Sequence, residues 1–328
     1  MKDAAASADG ATFGALMHDG RVIVWNRDGT LRAVLITEGD ALALSRDGTF
    51  AAVSRNWRSK AGEQIDIWAI DAGKLHHTFP ERFKLTSFEF SPSEDLLVVA
   101  DLGQAVHVCS LDANGDVRTI PIKSTCAAFS PDGKMLAVGT AASEVLLYDV
   151  ETLELTRSLG GEGTALFSEV TWSPRGQTIV SVSRSREKDV EMIEERDLAS
   201  DAVRTVRVLD EFSLHGMKAS YLPGGRTLAV PDGSLSMTLL DAKTLEAGNL
   251  AEIPNQSMAA GLHGDTFITS DSDCVDLWDA QALRVRQRLF QTPAAPKVWP
   301  AACGLAIWCV VFVVRHARTI ARFRREPQ

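Results

Sequence analysis

The sequence predicts an all-β chain, a seven-bladed β-propeller of residues 1–292 followed by a C-terminal transmembrane helix. Three observations carry this prediction. A short turn phrase recurs seven times along the body; four short strand patterns accompany each copy with no helical period between them; and a 17-residue run without a charged residue, 298–314, stands near the C-terminus.

The phrase reads "SADG" from Ser7, "SRDG" from Ser45, "SPSE" from Ser91, "SPDG" from Ser130, "SPRG" from Ser173, "LPGG" from Leu222 and "GLHG" from Gly261. Its fourth positions, 10, 48, 94, 133, 176, 225 and 264, recur at a period of about 42, in the range of one propeller blade. Proline at the second place presets a type I turn, aspartate or serine bonds the local backbone, and glycine accepts a positive φ. Each phrase is preceded by a small, apolar strand ("ALALS", "FEFS", "CAAFS") and followed by a second one ("TFAAVS", "LLVVAD", "MLAVGT"). A third strand comes next, as in "RVIVWN", "QIDIWAID" and "CVDLWDA", and a fourth ends the unit, as in "LRAVLI" and "RVRQRLF". One position of the third strands aligns across the units as Trp25, Trp68, Cys109, Tyr148, Ile193, Leu240 and Trp278. Every unit is complete in sequence order. No strand is left over to latch the last blade onto the first, so ring closure is expected to rest on side-chain packing between blades one and seven.

At the third strand the chain resembles the WD-repeat family, whose repeats end in Trp-Asp. Trp278-Asp279 matches fully, Tyr148-Asp149 and Leu240-Asp241 in part, and Trp25-Asn26 and Trp68-Ala69 keep the tryptophan. The "SPDG" phrase and the apolar strand after it are also typical, and the resemblance spans seven units. The family's Gly-His dipeptide, whose histidine bonds an aspartate between the second and third strands, is not found at the expected places. Asp19, Asp101, Asp232 and Asp273 occupy that turn without an evident histidine partner, so the blades look like the divergent WD-like propellers of bacteria. The resemblance implies a protein-interaction platform.

Composition narrows the partners. The formal charge is −9, and the tail from Arg315 carries five Arg against one Glu, leaving about −13 on residues 1–314. Such a body is a poor match for nucleic-acid phosphates, so no nucleic-acid partner is expected. The five cysteines, Cys109, Cys126, Cys274, Cys303 and Cys309, show no paired or metal-ligating spacing and read as small buried hydrophobes. The N-terminus has no apolar segment of the secretory kind.

The innermost strands, where a propeller enzyme carries its chemistry, are interrupted only by Glu89, Glu169 and Lys218. A metal-dependent site needs several converging carboxylates with histidine or asparagine, so neither a metal nor a cofactor is expected and the catalytic assignment is none. "LGGEGTALF" around Gly160 has no following helix and reads as a connection between blades four and five, and His76-His77 falls on an outer strand. Two stretches between second and third strands depart from the compact plan, "SRNWRSKAGEQ" in blade two and "SRSREKD" in blade five. Both are basic in an acidic protein, and both project from one face of the disc. Arg55, Trp57, Arg58 and Lys60 with Arg184, Arg186 and Lys188 are therefore the candidate binding residues, for a protein or peptide with an acidic surface. The bland reading of these stretches is a pair of solvated hairpin tips.

"PAAP" within residues 293–297 reads as a stiff linker to the uncharged run. That run sits at the short end of what crosses a hydrocarbon core of about 30 Å. Trp299 stands at its start; Leu305, Ile307, Trp308 and Phe312 fill it; Arg315 and Arg318 open the basic tail 315–328, where they can snorkel. The lipid bilayer is thus an expected partner. The five arginines after the run favour a cytoplasmic C-terminus and an exported propeller, whereas the absence of a leader favours a cytoplasmic propeller. The second is the expectation adopted, with an exported face as its alternative. The sequence reading is a tail-anchored WD-like platform, and its runner-up is a membrane-tethered propeller enzyme of the lactonase or hydrolase kind.

Overall fold

The computed structural model describes residues 2–55, 64–79, 83–102, 104–112, 115–140, 144–160, 165–185, 190–209, 219–231, 236–254, 257–260, 264–270 and 274–291. Within them the strands form seven four-stranded antiparallel sheets, each built from four consecutive strands. Blade one runs Asp3–Ile36, blade two Gly39–Thr78, blade three Leu85–Ile120, blade four Ser124–Gly160, blade five Ala165–Leu209, blade six Ser220–Pro254 and blade seven Ser257–Gln291. The residues Met1–Phe290 make one compact unit.

In blades one to five the turn phrase closes its hairpin through its own side chains. In blade four Ser130 Oγ donates to Asp132 Oδ1 at 2.6 Å, the Met135 amide donates to Ser130 Oγ at 2.9 Å, and the Lys134 amide donates to Asp132 at 3.1 Å. Gly133 takes a φ of +70°, which a side chain would resist. The Ser130 hydroxyl holds the Asp132 carboxyl below the usual carboxylate range. The aspartate ending a third strand caps the next turn in the same manner: Asp149, Asp197, Asp241 and Asp279 each accept backbone amides two or three residues on. Four residues after these aspartates stand Leu153, Asp201, Leu245 and Leu283, the four non-glycine residues with positive φ among the described residues. Gly73 and Gly115 fill the equivalent turns of blades two and three.

The core is divided among the seams. Seven buried apolar clusters form, one between each pair of adjacent blades. Alternate residues of a strand serve opposite seams: Val22 and Val24 face blade two, while Ile23 and Trp25 face blade seven. A sheet covered on both faces needs apolar residues at successive positions, which explains why the strands read as unbroken apolar runs. Closure of the ring follows the sequence expectation. Phe13, Ile23 and Trp25 pack against Ile268, Val275 and Leu277, and Arg27 pairs with Asp265.

Strand register corrects one alignment. The third-strand position pairs with the residue three after the phrase's last member: Trp25 with Phe13, Trp68 with Ala51, Cys109 with Leu97, Tyr148 with Leu136, Leu240 with Leu228 and Trp278 with Phe267. In blade five that partner is Ile179, and it faces Arg196. Ile193 lies three residues earlier and packs toward blade six. The eight-residue strands of blade five displace the motif relative to the six-residue strands of blades one, two and four.

Antiparallel pairing puts the phrase turns and the third-to-fourth-strand turns on one face of the ring. The second-to-third-strand turns and the blade-to-blade links share the other, here the link face. In blade one Thr37 of the link donates from its amide and its hydroxyl to the carbonyl of Gly20, at 3.1 and 2.6 Å. Gly20 has a φ of +84°, and a Cβ there would stand 2.4 Å from the Thr37 oxygen, so glycine is required.

Candidate partner-binding site

The central channel is lined by the innermost strands of all seven blades and encloses about 440 Å³. Its carboxylates are engaged in joining blades. At three junctions an amide entering blade two, four or six donates to a carboxylate of the preceding blade: Asp3 accepts from Leu42 at 2.9 Å, Glu89 from Phe129 at 2.5 Å and Glu169 from Ala219 at 3.0 Å. Ser87 accepts from Ala127 at 3.4 Å in the same manner. Glu89 and Glu169 are thus blade-to-blade staples. Lys218 lies outside the described residues. Among the described residues no group of three or more His, Cys, Asp or Glu is arranged to hold a metal ion.

A second set of links runs around the outer rim, and sequence reasoning missed it. Arg32 reaches Asp71 in the third-to-fourth-strand turn of blade two, at 2.8 and 2.9 Å. Arg118 donates to the Glu151 and Val150 carbonyls at 2.6 and 3.0 Å, Arg157 to the Leu198 carbonyl at 2.5 Å, and Arg204 to the Lys243 carbonyl at 2.7 Å. In four blades an outer-strand arginine therefore holds the matching turn of the next blade. The signal was an arginine near the start of the fourth strand, which reads as ordinary surface charge until the neighbouring turn is in place.

Blade five adds a buried network. Glu195 stands on the third strand, one residue before Arg196, where blades one, two, three, four and seven carry Val24, Ile67, Val108, Leu147 and Leu277. Its side chain is 4% exposed and pairs with Arg204. Tyr221 of blade six donates its hydroxyl to Glu195 Oε1 at 2.7 Å and lies 3.0 Å from Thr178 Oγ1. Burial pushes the Tyr221 phenol well above the usual tyrosine range.

Of the predicted binding residues, Arg55 ends the second strand of blade two and pairs with Asp66 of its own blade at 2.8 Å; Asp66 also accepts the Thr78 hydroxyl at 2.7 Å. Arg184 belongs to the second strand of blade five, in register with Leu166 and Glu191. The two connections are accordingly shorter than the sequence suggested, 56–63 and 186–189, because both hairpins continue past the expected strand ends. Trp57, Arg58, Lys60, Arg186 and Lys188 lie outside the described residues, as do the linker, Trp299, Leu305, Ile307, Trp308, Phe312, Arg315 and Arg318. Among the described residues no helix is long and apolar enough to cross a membrane.

Two of the turn aspartates, Asp19 and Asp101, lie among the described residues, and both have partners. Asp19 pairs with Arg21 at 2.7 Å, and Asp101 accepts the Lys84 amide at 2.8 Å from the link entering blade three. His107 Nε2 also stands 3.9 Å from Asp101 Oδ2, a histidine neighbour that the sequence did not make evident. His76 is exposed on its outer strand, Cys109 and Cys126 are buried, and Cys274 is half-buried. Asp232 and Asp273 lie outside the described residues.

The comparisons with known proteins agree with this architecture. The family model described as the anaphase-promoting complex subunit 4 WD40 domain matches residues 88–175. The COMPASS component SWD3 of Saccharomyces cerevisiae is 40% identical over 62 residues, 19% of this chain and 19% of that protein. The retinoblastoma-binding protein 5 homolog of Drosophila melanogaster is 24% identical over 154 residues, 44% of this chain and 27% of that one. The matches span less than a third of the length of these curated relatives. Among solved structures, the β-propeller domain of Cps50 (Swd1) from Myceliophteria thermophila superimposes with a TM-score of 0.62 at 10% identity, over 82% of this chain and 92% of that one. Hydrazine synthase of Kuenenia stuttgartiensis does so with a TM-score of 0.68 at 15% identity, over 86% and 96%. At such identities the structural likeness speaks for the fold alone. Repeat and ring make this chain a seven-bladed β-propeller, and the family match makes it WD-repeat-like over residues 88–175.

Proposed function

We propose that the chain is a non-catalytic protein-interaction platform, tethered to a membrane by residues 298–314, with its propeller on the cytoplasmic side. The observation that carries the platform reading is the state of the channel: Glu89 and Glu169 both spend their carboxylates on the backbone of the next blade. WD-repeat relatives support it, since one is a component of the COMPASS assembly by name and another is a homolog of a retinoblastoma-binding protein. The partner is a protein or peptide with an acidic surface, met by the basic connections 56–63 and 186–189 and by Trp57. The tether rests on the uncharged run and the arginines that follow it.

Affinity capture from detergent-solubilised membranes tests the reading. The full chain should recover specific proteins, and the triple variant Trp57→Ala, Arg58→Ala, Arg186→Ala should lose the acidic ones. A variant that retains every partner at full strength sinks the binding assignment, and turnover of a small substrate with no co-purifying protein sinks the platform. Digestion of the propeller from outside sealed vesicles, but not from inside, would reverse the orientation.

A further inference from the structure

Most of the large apolar residues exposed among the described residues belong to the repeat. Leu75, Leu155, Val203 and Val285 each stand seven positions after the third-strand site, at Trp68, Tyr148, Arg196 and Trp278, and Leu31 stands six after Trp25. Leu102 opens a turn of blade three by itself. Val34, 45% exposed, and Ile36, 79% exposed, remain, and they share one flank of the outer strand of blade one, Leu31–Ile36.

That strand is the outer edge of its sheet. The Thr37 amide donates to the Gly20 carbonyl, so every second pair along the ladder from there is hydrogen-bonded, Leu35 with Val22 and Ala33 with Val24. Val34 and Ile36 fall between these pairs, opposite Ile23 and Arg21, and turn their N–H and C=O groups away from the sheet. The Arg21 carbonyl agrees, since it accepts the Met17 amide on the other side of its strand. Such an edge is normally guarded by a charge. The one charged residue of this strand, Arg32, is drawn along the rim: its guanidinium grips both oxygens of Asp71 in blade two and donates to Thr12 Oγ1 at 2.9 Å, leaving the side chain 20% exposed. The outer strand of blade seven, by contrast, carries Arg284, Arg286 and Arg288. A second copy of the same strand fits the unguarded edge. Residues with outward backbone groups must meet, and one antiparallel register sets Val34 of each copy against Ile36 of the other, across a two-fold axis at Leu35. The same register brings the exposed Glu38 of each copy to Arg32 of the other, whereas a shift of two residues would face Ile36 with Arg32.

We propose that two copies of the chain associate through the outer strands of their first blades, joining two four-stranded sheets into one of eight with Val34 opposite Ile36 on either side of the axis. The contact lies on the rim of the ring and depends on neither the partner nor the membrane reading above. A six-residue pairing is smaller than a standard interface of about 1,600 Å², so the dimer is weak and reversible. Sedimentation velocity of the full chain in detergent, at concentrations up to about 100 μM, should show a monomer–dimer equilibrium. Ile36→Lys should raise its dissociation constant about tenfold and leave the melting temperature unchanged, because the side chain is exposed. Disulfide trapping reads the register without relying on that variant. In a mixture of Val34→Cys and Ile36→Cys chains the two cysteines would stand on Cα atoms about 5.5 Å apart, so cross-linked dimers should exceed those of either variant alone. A chain that stays monomeric, an Ile36→Lys variant that dimerises as strongly as the wild type, or trapping no greater in the mixture than in the single variants overturns the proposal.

Discussion

Arg27 and Asp265 lie 238 positions apart in the chain and share an ion pair at 2.5 Å across the seam between blades one and seven. The Arg27 guanidinium holds the Asp265 carboxyl below its usual range. Both side chains are about two-fifths exposed, so water and salt screen the pair. The apolar cluster beneath it, with Phe13 and Ile268 fully buried, is the main closure of the ring.

Closure can therefore be apportioned by mutation. Phe13→Ala should cost about 3–5 kcal/mol of unfolding free energy and Arg27→Ala under about 1 kcal/mol, read from denaturant titrations. The small contribution of the pair is present at neutral pH and disappears as the pH falls through the lowered pKa of Asp265. A larger loss for Arg27→Ala than for Phe13→Ala would refute closure by packing.

Two tryptophans at one repeat position differ in a single bond. Trp278 Nε1 donates to Thr269 Oγ1 at 2.7 Å, while the buried Trp68 Nε1 has no acceptor, since Val53 occupies the matching place in blade two. Thr269→Val should cost about 1–2 kcal/mol by stranding an indole N–H, and Val53→Thr should cost less than Thr269→Val or stabilise the fold. Melting temperatures of the two variants decide it.

The chain has two tyrosines, and burial raises the ionisation range of both Tyr148 and Tyr221. A raised phenol contributes stability that is full below the unfolded-state pKa of about 10 and is lost as the pH climbs through the folded value. Absorbance at 295 nm should accordingly show phenolate appearing together with alkaline unfolding. A phenolate signal near pH 10 in the still-folded protein would contradict this. Glu195→Ala, which leaves Arg204 and Tyr221 without their shared acceptor, should cost about 3–5 kcal/mol.

The rim arginines make a separate prediction. Arg118 bridges two carbonyls of the blade-four turn, a task the single ammonium of lysine performs poorly. Arg118→Ala should lower stability by about 1–2 kcal/mol, and Arg118→Lys should recover less than half of that. Full recovery by lysine would mean that charge alone matters at this place.

What the sequence made legible was whatever repeats. The turn phrase, the four strands and the Trp position recur with the blade period, and the structure follows the strands and that position in blades one to four, six and seven. Blade five misled because its strands are longer, which moved Arg196 into the place assigned to Ile193. The backbone partner of Asp101 and the staples at Glu89 and Glu169 were hidden for another reason. Each joins a side chain to a backbone amide in another blade or in a link, and backbone groups leave no letter in the sequence. Arg55 looked free only because its partner, Asp66, sits eleven residues on, beyond an insertion.

The assembly of each sheet from four consecutive strands has a consequence for synthesis. Each blade can complete its hydrogen bonding soon after it leaves the ribosome, and every seam but one forms as the next blade arrives. The last seam must wait for Ile268, Val275 and Leu277, so at about 5–20 residues per second the open flank of blade one, with Phe13, Ile23 and Trp25, stays uncovered for roughly 13–50 s. That flank is where a nascent chain of this protein most needs a chaperone, and where a truncated one would first stick to its neighbours.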